Sequence, residues 1–140
     1  MLYLDTSMAV AALVGEAASS RVLDWFAAQD ADDLAISDWV VTEFSAALAR
    51  KLRADEIGGV RQAAALAAFA RLASESFTVL AVSRMHYRTA ARVADRHALR
   101  LRAGDALHLA VCADRGAILC TLDRRQAEAG TALGVPTMLL

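Results

Sequence analysis

Short apolar runs alternate along this chain with longer stretches of helical period. Residues 1–4, 34–36, 77–82, 118–121 and the terminal 136–140 are compact and aliphatic, as strands covered on both faces are. Between them apolar positions recur at three and four residues, which predicts helices over about 7–14, 19–28, 38–53, 56–73, 84–98, 103–115 and 124–133. Strands alternating with helices imply an α/β fold whose central sheet, of about five strands, is mostly parallel with helices on both faces. Ser37 and Ser83 stand where N-caps belong, and Gly58-Gly59, Gly116 and Gly134 punctuate turns or helix ends. The one proline, Pro136, restricts only the last strand. The 140 residues suit one domain spanning 1–140, without repeats or linkers.

Four carboxylates are out of place in that pattern. Asp5 ends the first apolar run and precedes Thr6-Ser7, and Asp123 stands likewise between Leu122 and Arg124. In an open α/β sheet, the carboxyl ends of strands are where ligands bind. Glu43 lies beside the stripe set by Val40, Val41, Phe44, Ala47 and Leu48, and Asp105 shares a helix face with His108, Leu109 and Cys112. Each acid has an ordinary reading on its own. Asp5 and Asp123 suit N-caps or Asx turns, Asp105 a first-turn acid favouring the helix dipole, and Glu43 a side chain reaching water at the stripe's edge. Four together are harder to place, because burying an unpaired carboxylate is costly and like charges raise one another's pKa. A divalent cation removes both objections, and an oxygen-only donor set points to Mg²⁺ or Mn²⁺ rather than zinc.

Net charge is −1 and the pI about 6.3, so no whole-molecule field attracts a polyanion, although a local basic patch remains compatible. Lys51 is the only lysine among 15 basic residues. Arg84, Arg88, Arg92 and Arg96 recur every four residues, continued by Arg100, and form either a phosphate-tracking stripe or a solvated face. The hydrophobic fraction of 57% implies an apolar surface covered by a partner or a second copy. An acid at position 5 argues against a signal peptide, and no run reaches the ~18 apolar residues of a membrane span, so the cytoplasm is expected. Cys112 and Cys120 form no C-x-x-C pair and read as buried thiols in a reducing compartment. A phosphorelay receiver would need a lysine after its last strand, and a haloacid-type phosphatase a second acid where Ser7 stands.

Together the acid-bearing segments resemble the PIN-domain ribonucleases and, within them, the VapC-type toxins of bacterial toxin–antitoxin pairs. The resemblance covers nearly the whole chain. It rests on Leu2-Tyr3-Leu4-Asp5-Thr6-Ser7, on residues 37–44 with Glu43, on residues 101–110 around Gly104-Asp105, and on Thr121-Leu122-Asp123. It implies a PIN-like three-layer sandwich and a metal-dependent endoribonuclease leaving 5′-phosphate and 3′-hydroxyl ends. Asp5, Glu43, Asp105 and Asp123 would be the catalytic, metal-holding acids, and Thr6, Ser7 and Thr121 would hold carboxylates or metal-bound waters. Arg102, Arg124 and Arg125, beside the acids, are candidates for RNA contact, with Arg88 and Arg92 of the stripe. The resemblance also implies a homodimer and a VapB-like antitoxin. The antitoxin's apolar helix would enter a groove built by the early helices, near Trp25, Phe26 and Trp39. His86, His97 and His108 read as structural. Two other readings stay open: a non-toxin PIN-type nuclease of RNA processing or repair, and a non-catalytic α/β interaction module.

Overall fold

A computed structural model describes residues 1–15 and 17–140. Strands β1 (Leu2–Leu4), β2 (Leu34–Ser37), β3 (Thr78–Leu80), β4 (Ile118–Thr121) and β5 (Thr137–Leu139) form one sheet in the order β3-β2-β1-β4-β5. All four pairings are parallel, with Leu2 opposite both Leu34 and Ile118. The chain steps outward from β1 to β2 and β3, then returns to the other side of β1. Right-handed crossovers therefore place α1 (Thr6–Val14), α2 (Ser19–Ala27), α3 (Asp38–Arg53) and α4 (Gly59–Glu75) on one face. The opposite face receives α5 (Arg84–Ala94), α6 (Ala103–Arg115) and α7 (Arg124–Ala132). β1 and β4 are neighbours whose connections leave in opposite directions, so a crevice opens at their carboxyl ends, the place where such sheets bind ligands.

Burial follows from this layering. Tyr3, Leu4, Ile36 and Leu119 are fully buried, which is why the strands read as unbroken apolar runs. Every residue of α6 from Ala106 to Cys112 is buried. Leu109 and Cys112 join the main core, while Leu107 and Ala110 pack with Ala90 of α5 and with Trp39. In α3, Val40, Phe44 and Leu48 are fully buried, and Phe44 stacks on Phe69 of α4 with ring centroids 4.2 Å apart.

The departures from the sequence reading have local causes. Val41 is 38% exposed, because α3 buries the narrow line i, i+4, i+8 and Val41 points about 100° away from it. α4 starts at Gly59, not 56, with Gly58 extended at its N-cap. α5 stops at Ala94, followed by a 3₁₀ turn, His97–Leu99, and by Arg100 in the left-handed region at φ 54°. Arg96 and Arg100 thus leave the row that Arg84, Arg88 and Arg92 keep. Ser83 caps α5 as expected, accepting from His86 N. Ser37 occupies the N-cap of α3 without capping it, and its hydroxyl lies 2.7 Å from that of Tyr3 instead. Cys112 and Cys120 are free, buried thiols. No helix among the described residues is long and apolar enough to cross a membrane.

The Phe44–Phe69 stack ties α3, which carries Glu43, to α4. Phe44→Ala should cost roughly 3–5 kcal/mol, the range for deleting a buried aromatic. Urea unfolding should show this as a lower midpoint with an unchanged slope.

Candidate active site

At the crevice, Asp5, Glu43, Asp105 and Asp123 line one solvent-open cavity of about 630 Å³. They arrive from four places: Asp5 at the junction of β1 and α1, Glu43 in the second turn of α3, Asp105 in the first turn of α6, and Asp123 at the N-cap of α7. The ordinary roles are filled as well. Asp5 Oδ1 accepts from Met8 N at 3.3 Å, Asp105 Oδ2 from Arg102 N at 3.0 Å, and Asp123 Oδ1 from Arg125 N at 2.8 Å. Capping and cavity lining are therefore not alternatives here. The helix N-termini that the acids cap also hold them in place.

The two most enclosed acids have opposite electrostatics. Asp5 is 4% exposed, and burial raises its carboxyl above the usual carboxylate range. His108, the hydroxyls of Ser7 (2.5 Å) and Thr121 (2.6 Å), and Met8 N pull it back only in part. For Glu43 burial is again the largest single influence and raises it, but His108 opposes it, both as a hydrogen-bond donor at 2.7 Å and as a charge. With the Thr6 hydroxyl at 2.6 Å and Trp39 nearby, Glu43 is held below its usual value. The buried Trp39 Nε1 points a donor toward this carboxylate, although the pair does not reach full hydrogen-bond geometry. Gly104 completes the setting, since a Cβ there would collide with Glu43 Oε1.

Thr6, Ser7 and Thr121 thus each donate to an acid. Ser7 also accepts from Leu122 N at 2.9 Å, and Thr121 from Asp123 N at 2.9 Å, so the hydroxyls sew the start of α1 to the turn before α7. Three polar wall residues escaped the sequence reading: Arg50 and Arg53 of α3, and Gln126 of α7. Arg50 lies seven residues after Glu43, two turns along the same face, so helical spacing from the acid would have found it. Arg102 also lines the wall. Arg124 and Arg125 are exposed at the start of α7, with Arg125 3.9 Å from Asp123, and Arg88 and Arg92 lie on the exposed face of α5. His86 has a structural setting between Ser83 N (3.1 Å) and Asp114 (3.1 Å), whereas His108 touches Glu43 directly.

Among the described residues, no three acid, histidine or cysteine side chains are gathered closely enough to ligate one ion unaided. That excludes a preformed protein cage but suits Mg²⁺ or Mn²⁺, which keep several waters and bind through one or two carboxylates. The donors are oxygens, and a cation would offset the cost of burying Asp5. Gln126, 1% exposed, adds a neutral amide to this wall, its Oε1 accepting from the Thr121 hydroxyl at 3.0 Å. The residues present fit a hydrated hard cation.

A second, apolar groove of about 250 Å³ lies on the α1–α4 face. Ala9, Ala12 and Leu13 of α1, Leu23 and Phe26 of α2, and Phe69 and Leu72 of α4 line it. Trp25 packs edge-on against Phe26, while Trp39 lies elsewhere, against α5 and α6.

The PIN domain family model matches residues 2–131, and the chain belongs to this family of nucleases. No curated protein matches the sequence. Among solved structures, the chain resembles VapC20 of Mycobacterium tuberculosis, described as a sarcin-ricin loop cleaving toxin. That match has 24% identity and a TM-score of 0.76, over 93% of this chain and 95% of that one. PAE2754 of Pyrobaculum aerophilum is 27% identical with a TM-score of 0.67, over 92% and 84% of the two chains. A chain of a toxin-antitoxin complex from Klebsiella pneumoniae is 20% identical with a TM-score of 0.58, over 88% and 87%.

The raised Asp5 pKa has a testable sign. Folding favours the protonated form, so this group supports the metal-free protein below its unfolded pKa and loses that support as pH rises through the native one. Asp5→Asn is neutral throughout. Without divalent ions it should melt above the parent near neutral pH, and the gap should close toward about pH 4. A lower melting point for Asp5→Asn at neutral pH would make the carboxylate a net stabiliser.

Proposed function

We propose that this chain is a divalent-metal-dependent endoribonuclease and the toxin of a type II toxin–antitoxin pair. The observation that carries the reading is the convergence of four carboxylates from four separate elements on one open cavity at the sheet's switch point. Asp5, Glu43, Asp105 and Asp123 would hold Mg²⁺ or Mn²⁺. The bound ion would supply Lewis acidity and activate water for attack on a phosphodiester. Thr6, Ser7 and Thr121 hold the acids in place by the hydrogen bonds described above. Arg50, Arg53 and Arg102 would contact phosphates on either side of the scissile bond, because guanidinium forks match phosphate oxygens. Arg124 and Arg125, and further out Arg88 and Arg92, would extend that contact.

The toxin assignment draws on the apolar groove, whose lining suits the apolar face of an amphipathic helix of a VapB-like antitoxin. The toxins named among the similar structures support the same reading. A homodimer would cover the exposed Met85 and Tyr87 of α5, beside a smaller apolar groove of Tyr87, Ala90 and Trp39. The free thiols suit a reducing cytoplasm.

Purified protein incubated with RNA should cut it only with Mg²⁺ or Mn²⁺ present, and Asp5→Ala and Asp105→Ala should abolish cleavage while remaining folded. Full cleavage by folded Asp5→Ala would sink the mechanism. In Ca²⁺, without turnover, Arg50→Gln and Arg53→Gln should each lower the log–log salt slope of binding to single-stranded RNA by roughly 0.7. An unchanged slope in the double variant would remove these arginines from the RNA path.

A further inference from the structure

A row of buried polar groups runs from the sheet to Glu43, and we propose that His108 is a positioning residue that fixes the Glu43 carboxylate for a divalent cation. The inference rests on the metal-dependent reading above. His108 Nε2 lies 2.7 Å from Glu43 Oε2, which also accepts from Thr6 Oγ1 at 2.6 Å. An ionised carboxylate only accepts, so Nε2 carries a proton toward it whatever the state of the other ring nitrogen. On that other side Nδ1 is 2.9 Å from the Tyr3 hydroxyl, itself 2.7 Å from Ser37 Oγ. Burial pushes the Tyr3 phenol well above its usual pKa, so its hydroxyl keeps its proton.

The row is anchored in the buried centre of the fold. Tyr3 and Ser37, on adjacent strands β1 and β2, are fully buried, and His108 is 3% exposed within the buried run of α6. Glu43 is not rigid by itself. It sits on the cavity wall with its side chain 28% exposed, and a free glutamate samples many rotamers. Two charge-assisted bonds to one oxygen restrain it, and the space left by the missing Cβ of Gly104 receives the other. Both ring nitrogens are partnered, so the ring's orientation is set by hydrogen bonds on two sides as well as by packing. Ser37, moreover, forgoes capping α3 in order to bond Tyr3.

The test compares two amides on the full-length protein. In His108→Gln the amide nitrogen falls close to the place of Nε2, whereas His108→Asn is one methylene too short to reach Glu43. Mn²⁺ affinity, read from the EPR signal of the free ion, should weaken about 10–100-fold in His108→Asn and stay within about threefold of the parent in His108→Gln. The two variants should melt at similar temperatures, because each removes the same ring. Tyr3→Phe, which removes only the hydroxyl behind the ring, should weaken Mn²⁺ binding at least about threefold. Parent-like affinity in His108→Asn, or equal loss in both amides, overturns the proposal. If His108→Asn does not fold, unchanged affinity in Tyr3→Phe overturns it instead. A parent that binds no Mn²⁺ at all brings down the functional reading and this inference with it, whereas parent-like binding by His108→Asn overturns this inference alone.

Discussion

The carboxyl edge of the sheet is organised around the burial of one negative charge, that of Asp5. β1 is flanked by β2 and β4, and the backbone N–H of Asp5 still reaches Cys120 O at 3.1 Å, so its side chain emerges inside the protein rather than in water. Such a carboxylate persists only if donors surround it. They come from Ser7 and Met8 at the start of α1 and from Thr121 on β4. Because Ser7 and Thr121 also accept from Leu122 N and Asp123 N, solvating Asp5 sets the course of the turn that presents Asp123. Satisfying one charge thereby fixes the place of another, the cooperative behaviour expected of a buried network.

Glu43 is treated differently. Its environment favours the ionised form, and its support comes from residues 65 and 37 positions away in the chain. The cavity thus joins an acid whose ionisation is opposed by burial to one whose ionisation is favoured. Environments that push neighbouring carboxyls apart are typical of sites where groups take different roles.

What the sequence revealed followed from period and position. Short apolar runs made all five strands visible, although only the central β1, β2 and β4 are buried and the edge strands β3 and β5 stay largely exposed. Asp5 and Asp123 stood out because each directly follows such a run. Glu43 and Asp105 were visible as charges against helical stripes. Residues whose role depends on the far side of the fold were not visible. Nothing near His108 points to Tyr3, which lies 105 residues away, and Ser37 looked like a cap because the sequence holds no sign of the competing tyrosine hydroxyl. The early end of α5 was hidden in the same way, since Arg96 and Arg100 continue its period past the point where the backbone turns. Gln126 carried no charge to attract notice, although it stands three residues after Asp123 in the first turn of α7.

Gly104 shows a different kind of coding. Its neighbour Asp105 contributes a charge, while Gly104 contributes the lack of one carbon atom, and Glu43 occupies the space this leaves. The dipeptide therefore specifies two acids, one by its own side chain and one by making room for a side chain from α3. A survey of chemical groups around the cavity would pass over position 104, because it offers no donor, acceptor or charge. A survey of tolerated volumes would rank it beside the acids.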